Sequence, residues 1–271
     1  MKNAIERKEV LDLHLHTDFS VDVFDGSTFE DFIVEGNKHG IIPGFLDHFQ
    51  AEKLEWKDYP FSWDKINTYF EAYDKAKGLG MQSYFGLEVD FYSKETHDSW
   101  NRAAMDWIDD HGATFDYMVG TIHDVQDHTI TIPFELEDLL KKVDFDRVQE
   151  DYFYTLQEGI CSRMFNGFAH LDVVYRFCGD GGILPGVEKY IQDRRTWDAM
   201  VECVNQDIVI EVNIRGFDHP WNTTYPAENL LVKFKKECEN PLFFVGSDAH
   251  HVKTFKRLFP VIQKYNQWIW Q

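Results

Sequence analysis

Short apolar runs, often β-branched, recur along the chain, and each ends at or near a polar residue able to bind metal. The runs are Val10–Thr17, Ile41–Phe49, Ser83–Phe91, Tyr117–Val125, Gly167–Val174, Ile208–Ile214 and Leu242–His250. Near-continuous hydrophobicity over so few residues predicts strands buried on both faces, as in a parallel sheet. The stretches between them read as helices. Phe61–Ala76 places Phe61, Ile66, Tyr69, Phe70, Tyr73 and Ala76 near helical spacing. Thr28–Lys38 ends in His39-Gly40 and Asn101–Asp110 in His111-Gly112, where glycine supplies a left-handed cap and imidazole suits the helix dipole. Asp144–Phe165, Val187–Gln206 and Ala227–Glu239 complete the set. The alternation predicts about seven βα units.

Such units either close into a barrel or stay open. In both cases a site forms at the carboxyl ends of the strands. Candidate ligands stand there on nearly every run, and they converge only if the sheet curls round. That favours a barrel.

Composition narrows the function. The 271 residues suit one large domain or two small ones, and 44% hydrophobic with 16% aromatic content supplies a substantial core. With 27 Lys and Arg against 47 Asp and Glu, the formal charge is −20. A polyanion repels nucleic acid and anionic membrane, so neither is expected as a partner. No apolar run approaches ~18 residues, which predicts no transmembrane helix. The opening MKNAIERKEV has no apolar segment of the secretory kind. Cys161, Cys178, Cys203 and Cys238 are widely spaced, which suits reduced, mostly buried thiols in a cytoplasmic protein. Any bound metal must therefore use His and carboxylate ligands.

His14-x-His16 opens the candidate site. Residues i and i+2 of a strand share a face, so two imidazoles can grip one ion or two neighbouring ions. Asp22 follows in a loop, where a lone carboxylate is more often a turn residue. His48, His123 and His170 end three further runs, and any one alone is more often structural. Glu88 differs, because burying a carboxylate in an apolar run is costly unless a cation or strong donor meets it. Asp248-x-His250 closes the set with two ligand types predicted on one strand face. Chance does not place nine such residues at strand ends. Mixed His and carboxylate donors suit Zn²⁺, Mn²⁺ or Fe²⁺. Nine ligands exceed the roughly four to six that one ion takes, which implies two or three divalent ions.

The ordered set HxH, DH, GxE, a single His, HLD and SDAH resembles the polymerase and histidinol phosphatase (PHP) superfamily from Leu11 to His250. The resemblance implies one domain over residues 1–271, a distorted TIM-like (β/α)7 barrel of α/β class. It also implies a trinuclear metal site. By motif the ligands are His14, His16, Asp22, His48, Glu88, His123, His170, Asp248 and His250. Several relatives carry His at the Asp22 position, where a carboxylate still ligates. The Thr-Asp-His often seen at the second motif is Leu46-Asp47-His48 here, which leaves the ligand in place.

Arg176 and Arg215 sit after two of the runs, where a guanidinium can hold phosphate oxygens or pair with a surface acid. Both resemble the phosphate-binding arginines of the histidinol-phosphate phosphatase branch. The resemblance implies a metal-dependent phosphate monoester hydrolase acting on L-histidinol phosphate in histidine biosynthesis. A metal-bridging hydroxide would attack phosphorus, and Asp248 or a metal-linked histidine such as His250 would assist the leaving oxygen. The alternatives are the same fold acting on another small phosphate ester or a nucleotide, and a non-catalytic metal-binding protein. Asp12 and Asp172 flank ligands, either orienting a His or bonding to backbone. His97, His128 and His219 read as loop residues.

Overall fold

In β1 (Leu11–Leu15), Leu11, Leu13 and Leu15 alternate with Asp12 and His14, and all five residues are buried. One face of this strand is thus polar yet dry, so every polar atom on it needs a partner. A computed structural model describes residues 2–23, 26–184, 186 and 189–271 of the chain. The first two residues of the predicted helix Val187–Gln206, Val187 and Glu188, lie outside the described residues.

The strands after β1 are β2 (Ile42–Phe49), β3 (Tyr84–Asp90), β4 (Tyr117–Thr121), the two-residue pair β5 (Asp124–Val125) and β6 (His128–Thr129), β7 (Gly167–Phe168), β8 (Val209–Asn213) and β9 (Phe243–Gly246). Seven of them form one parallel sheet in the order β1-β2-β3-β4-β7-β8-β9, and Leu15 is bridged in parallel to Ala249 just beyond β9. This is the (β/α)7 barrel that the family resemblance implies. Parallel neighbours need crossovers, and the helices supply them.

The helices are α1 (Lys2–Glu6), α2 (Phe29–Lys38), α3 (Ile66–Lys77), α4 (Lys94–His111), α5 (Pro133–Leu140), α6 (Phe145–Cys161), α7 (Arg194–Asn205), α8 (Glu228–Glu237) and α9 (Val252–Trp270). Thr28 caps α2 in a reciprocal box with Asp31, and the helix stops at His39 before Gly40 at φ 69°. Asp144 caps α6 by accepting from the Arg147 N–H.

Several boundaries differ from the sequence expectation. α3 begins at Ile66 rather than Phe61, because residues 61–65 form turns. The run from Gly167 is a strand only through Phe168, since His170 turns to φ 23°. Asp248 and His250 lie beyond β9 rather than on it, because Asp248 adopts φ 53°. Gly112 does not cap α4 in a left-handed conformation and instead starts a 3₁₀ turn. His97 is inside α4, at a non-helical kink, and His128 is in β6, so neither is the loop residue expected.

The chain groups into two compact units: Met1–Val89, Arg102–Val119 and Phe244–Gln271 form the first, Asp90–Asn101 and Gly120–Phe243 the second. The first has an aromatic core in which Tyr73 stacks on Phe85 at 3.5 Å and Phe29 meets Phe45 edge-on at 4.8 Å. In the second, Tyr175 stacks on Tyr190 and on Trp221. All four cysteines are free thiols, with Cys178 and Cys203 buried but Cys161 exposed. Among the described residues no helix is long and apolar enough to cross a membrane.

Candidate metal centre

The first unit holds His14, His16, Asp22, His48, Glu88, Asp248 and His250, and it brings them together. The strand period puts His14 and His16 on one face, and their Nε2 atoms lie 3.0 Å apart. Parallel register sets His48 beside Glu88, so His48 Nδ1 comes within 3.1 Å of the Glu88 carboxylate. Glu88 also lies 3.3 Å from His14 Nε2, and His16 Nε2 lies 3.3 Å from Asp248 Oδ1. The loop carboxylate Asp22 folds back to His48 Nε2 at 3.4 Å and His250 Nε2 at 2.8 Å. Two groups result, His16/Asp22/His48/His250 and His14/His16/Glu88, each with its ligand atoms within 4.8 Å of one another.

Donor chemistry tests whether a cation fits. Nδ1 of His250 faces the backbone oxygen of Asp248 at 2.9 Å. A carbonyl only accepts, so this nitrogen carries a hydrogen. In a neutral ring Nε2 is then an acceptor, yet it faces the Asp22 carboxylate. Two acceptors at that distance repel unless a proton or a metal ion stands between them. Mixed imidazole and carboxylate donors are what a divalent transition ion takes.

The electrostatics run the same way. Burial pushes the His16 imidazole down to about 3, with His250 and His48 adding to it, so this ring is neutral. Burial would raise the Asp22 and Asp248 carboxyls, but the imidazoles around them hold both well below the usual range. Burial disfavours charge on His250, but Asp22 and Asp248 overcome it and raise its pKa.

The second unit holds His123, His170, Arg176 and Arg215. The rings of His123 and His170 are 5.2 Å apart, and both residues are buried. His123 donates from Nδ1 to Asp90 Oδ1 at 2.7 Å, which leaves Nε2 with its lone pair. The N–H of His170 donates to Glu211 at 2.8 Å, and Asn213 donates to the same carboxylate. Arg176 has a buried Nε with no hydrogen-bond partner among the described residues. Arg215 donates to Asp218 at 2.9 Å, the surface-acid pairing that its position left open. Asp12 accepts from the His14 and Ser247 N–H groups, and burial lifts its carboxyl to about 7. Asp172 accepts from the Ala227 N–H.

Asp90 and Glu211 escaped the sequence reading. Both had a signal: Asp90 is two residues from Glu88 on one strand, and Glu211 is a carboxylate inside an apolar run, as Glu88 is.

A family model described as the PHP domain matches residues 12–215. The chain belongs to the PHP domain family. Two solved structures share the PHP fold with it. The candidate histidinol phosphatase hisK from Listeria monocytogenes has a TM-score of 0.74 at 17% identity, over 93% of this chain and 99% of that one. The histidinol phosphate phosphatase HISK from Lactococcus lactis, complexed with zinc, L-histidinol and phosphate, has a TM-score of 0.65 at 19% identity, over 95% and 93%. No curated protein matches the sequence.

Proposed function

We propose that this PHP protein is a metal-dependent phosphate monoester hydrolase whose substrate is L-histidinol phosphate. One observation carries the reading: His16, Asp22, His48 and His250 turn their ligand atoms on one point. At that point an imidazole nitrogen and a carboxylate face each other at 2.8 Å, a pair that either a proton or a metal ion can bridge. The His14/His16/Glu88 group provides for a second ion, and in the second unit the rings of His123 and His170 lie 5.2 Å apart. Zinc is the first choice because the Lactococcus lactis relative was solved with it, and L-histidinol and phosphate were bound to that protein too.

Bound divalent ions supply hydroxide near neutral pH and charge to stabilise the phosphoryl oxygens. The chain's own groups bind and orient. Glu88, buried between imidazoles, holds the ligand rings in place. Arg176 offers its unpartnered Nε to a phosphate oxygen, a charge-assisted bond. Asp248 or His250, on the loop after β9, would assist the leaving oxygen.

The test is a substrate panel with metal-reconstituted protein: histidinol phosphate, phosphoserine, nucleoside phosphates and a phosphodiester. Preferential hydrolysis of histidinol phosphate, abolished by chelator, is the expected result. Preference for another ester retains the phosphatase and overturns the substrate. Absence of metal from protein purified without chelator overturns the whole reading.

A further inference from the structure

Behind His16 lies a chain of hydrogen bonds whose directions can be worked out atom by atom. Ser20 Oγ has three neighbours: Asp47 Oδ1 at 2.9 Å, His16 Nδ1 at 3.0 Å and the His48 N–H at 3.2 Å. A hydroxyl has one hydrogen to donate and two lone pairs to accept with. The His48 N–H must donate, which uses one lone pair. The hydrogen then goes either to Asp47 or to His16.

Asp47 decides between them. Its Oδ1 also receives the Thr17 N–H at 2.6 Å, and its Oδ2 receives the Thr17 hydroxyl at 2.8 Å and the Tyr69 hydroxyl at 2.9 Å. With Ser20, four donors meet two oxygens, the complement of an ionised carboxylate. If Ser20 instead turned its hydrogen to His16, two acceptors would face each other at 2.9 Å inside a buried site. The Ser20 hydrogen therefore points to Asp47, and its second lone pair accepts from His16 Nδ1.

We infer that Ser20, oriented by Asp47, is a positioning residue that fixes the hydrogen of His16 on Nδ1 and so keeps the Nε2 lone pair turned toward His14 and Asp248. A neutral imidazole has one hydrogen, so if it sits on Nδ1, Nε2 is left bare as a ligand must be. The inference deepens the metal-centre reading and rests on it, because a bare Nε2 only 3.3 Å from Asp248 Oδ1 needs a cation between them. Tyr69 and Thr17 act one step further out. Burial raises the Asp47 carboxyl, and the Thr17 and Tyr69 donors work against that rise; Tyr69 is itself wedged in the aromatic core between Phe61 and Phe85.

Two measurements test this. Nitrogen-15 NMR of histidine-labelled, zinc-loaded wild-type protein above neutral pH reports the tautomer of each ring, with His16→Gln used to assign the signal. The expected state of His16 is the Nδ1–H tautomer, and an Nε2–H tautomer overturns the inference. Zinc titration against a chromophoric chelator is then compared in wild type and Ser20→Ala. The variant should bind zinc about 10–100-fold more weakly and lose the single tautomer. Wild-type affinity together with the wild-type tautomer in Ser20→Ala overturns the role of Ser20. If wild type binds no zinc, the metal reading falls; if it binds zinc with His16 in the Nε2–H tautomer, the relay alone falls.

Discussion

The backbone N–H of Asp248 donates to the carbonyl oxygen of His14 over 2.8 Å, tying the loop after β9 to the first strand. That bond holds two ligand-bearing segments from opposite ends of the chain in one register. It requires Asp248 at φ 53°, where Asn is tolerated and a β-branched residue is not. Asp248→Asn should keep the backbone conformation, lose the carboxylate–imidazole attraction and weaken zinc binding by on the order of 100-fold or more. Asp248→Val should lose binding as well and also cost about 1–2 kcal/mol of metal-free stability. Thermal melts with zinc titration check both, and equal stability of the two variants would contradict the backbone argument.

Gly86 stands two residues before Glu88 on β3. A Cβ there would lie 2.6 Å from the Tyr117 backbone oxygen and 2.9 Å from the Tyr117 ring. Gly86→Ala must push β3 and β4 apart, and the Tyr117 hydroxyl donates to the Leu13 carbonyl, so β1 is disturbed too. The expected loss is about 1–3 kcal/mol in urea denaturation, accompanied by weaker metal binding. A variant as stable as wild type would show that the packing relaxes.

The two arginines should separate kinetically. Arg176 keeps a buried nitrogen without a partner, whereas Arg215 already donates to Asp218. Arg176→Ala should raise KM and lower kcat, with kcat/KM for the phosphate ester falling about 10–100-fold. Arg215→Ala should cost less than about 10-fold. Steady-state kinetics on both variants decides the matter, and the opposite ranking removes Arg176 from the clamp.

Asp193 illustrates pH dependence away from the metal site. It caps α7 through the Arg195 N–H and pairs with the Arg195 guanidinium at 2.6 Å, while Tyr175 donates to it at 2.7 Å. Burial works against the charge, but Arg195 and Tyr175 hold its carboxyl below the usual range. A depressed folded-state pKa contributes stability above the unfolded value, near ~3.9, and that contribution is lost as pH falls through the folded value. Asp193→Asn should therefore destabilise at neutral pH, by about 1–2 kcal/mol after allowance for the half-exposed Arg195. The gap to wild type should close as the pH is lowered below ~4. Melts across that range check it, and a gap that widens on acidification contradicts the sign.

Much of the architecture was open to view along the chain. The period of two in β1, the acid inside the run at Glu88 and the His39-Gly40 end of α2 are local patterns that act through backbone geometry alone. Helices α5 and α9 were harder to see. α5 is short, with Pro133 at its start, and α9 runs through Pro260. Asp90 and Glu211 went unseen although they obey the rules that revealed Glu88.

By itself, then, the sequence determined the alternation of strand and helix and the residue types turned into a dry interior, since these follow from the spacing of neighbours. Only the tertiary structure decided which groups meet. Asp22 reaches His250, Asp248 is tied to His14, and His48 meets Glu88. Those pairings depend on strand register and on the left-handed turn at Asp248. Such features arise from packing between distant segments, and a linear pattern of side chains carries no record of them.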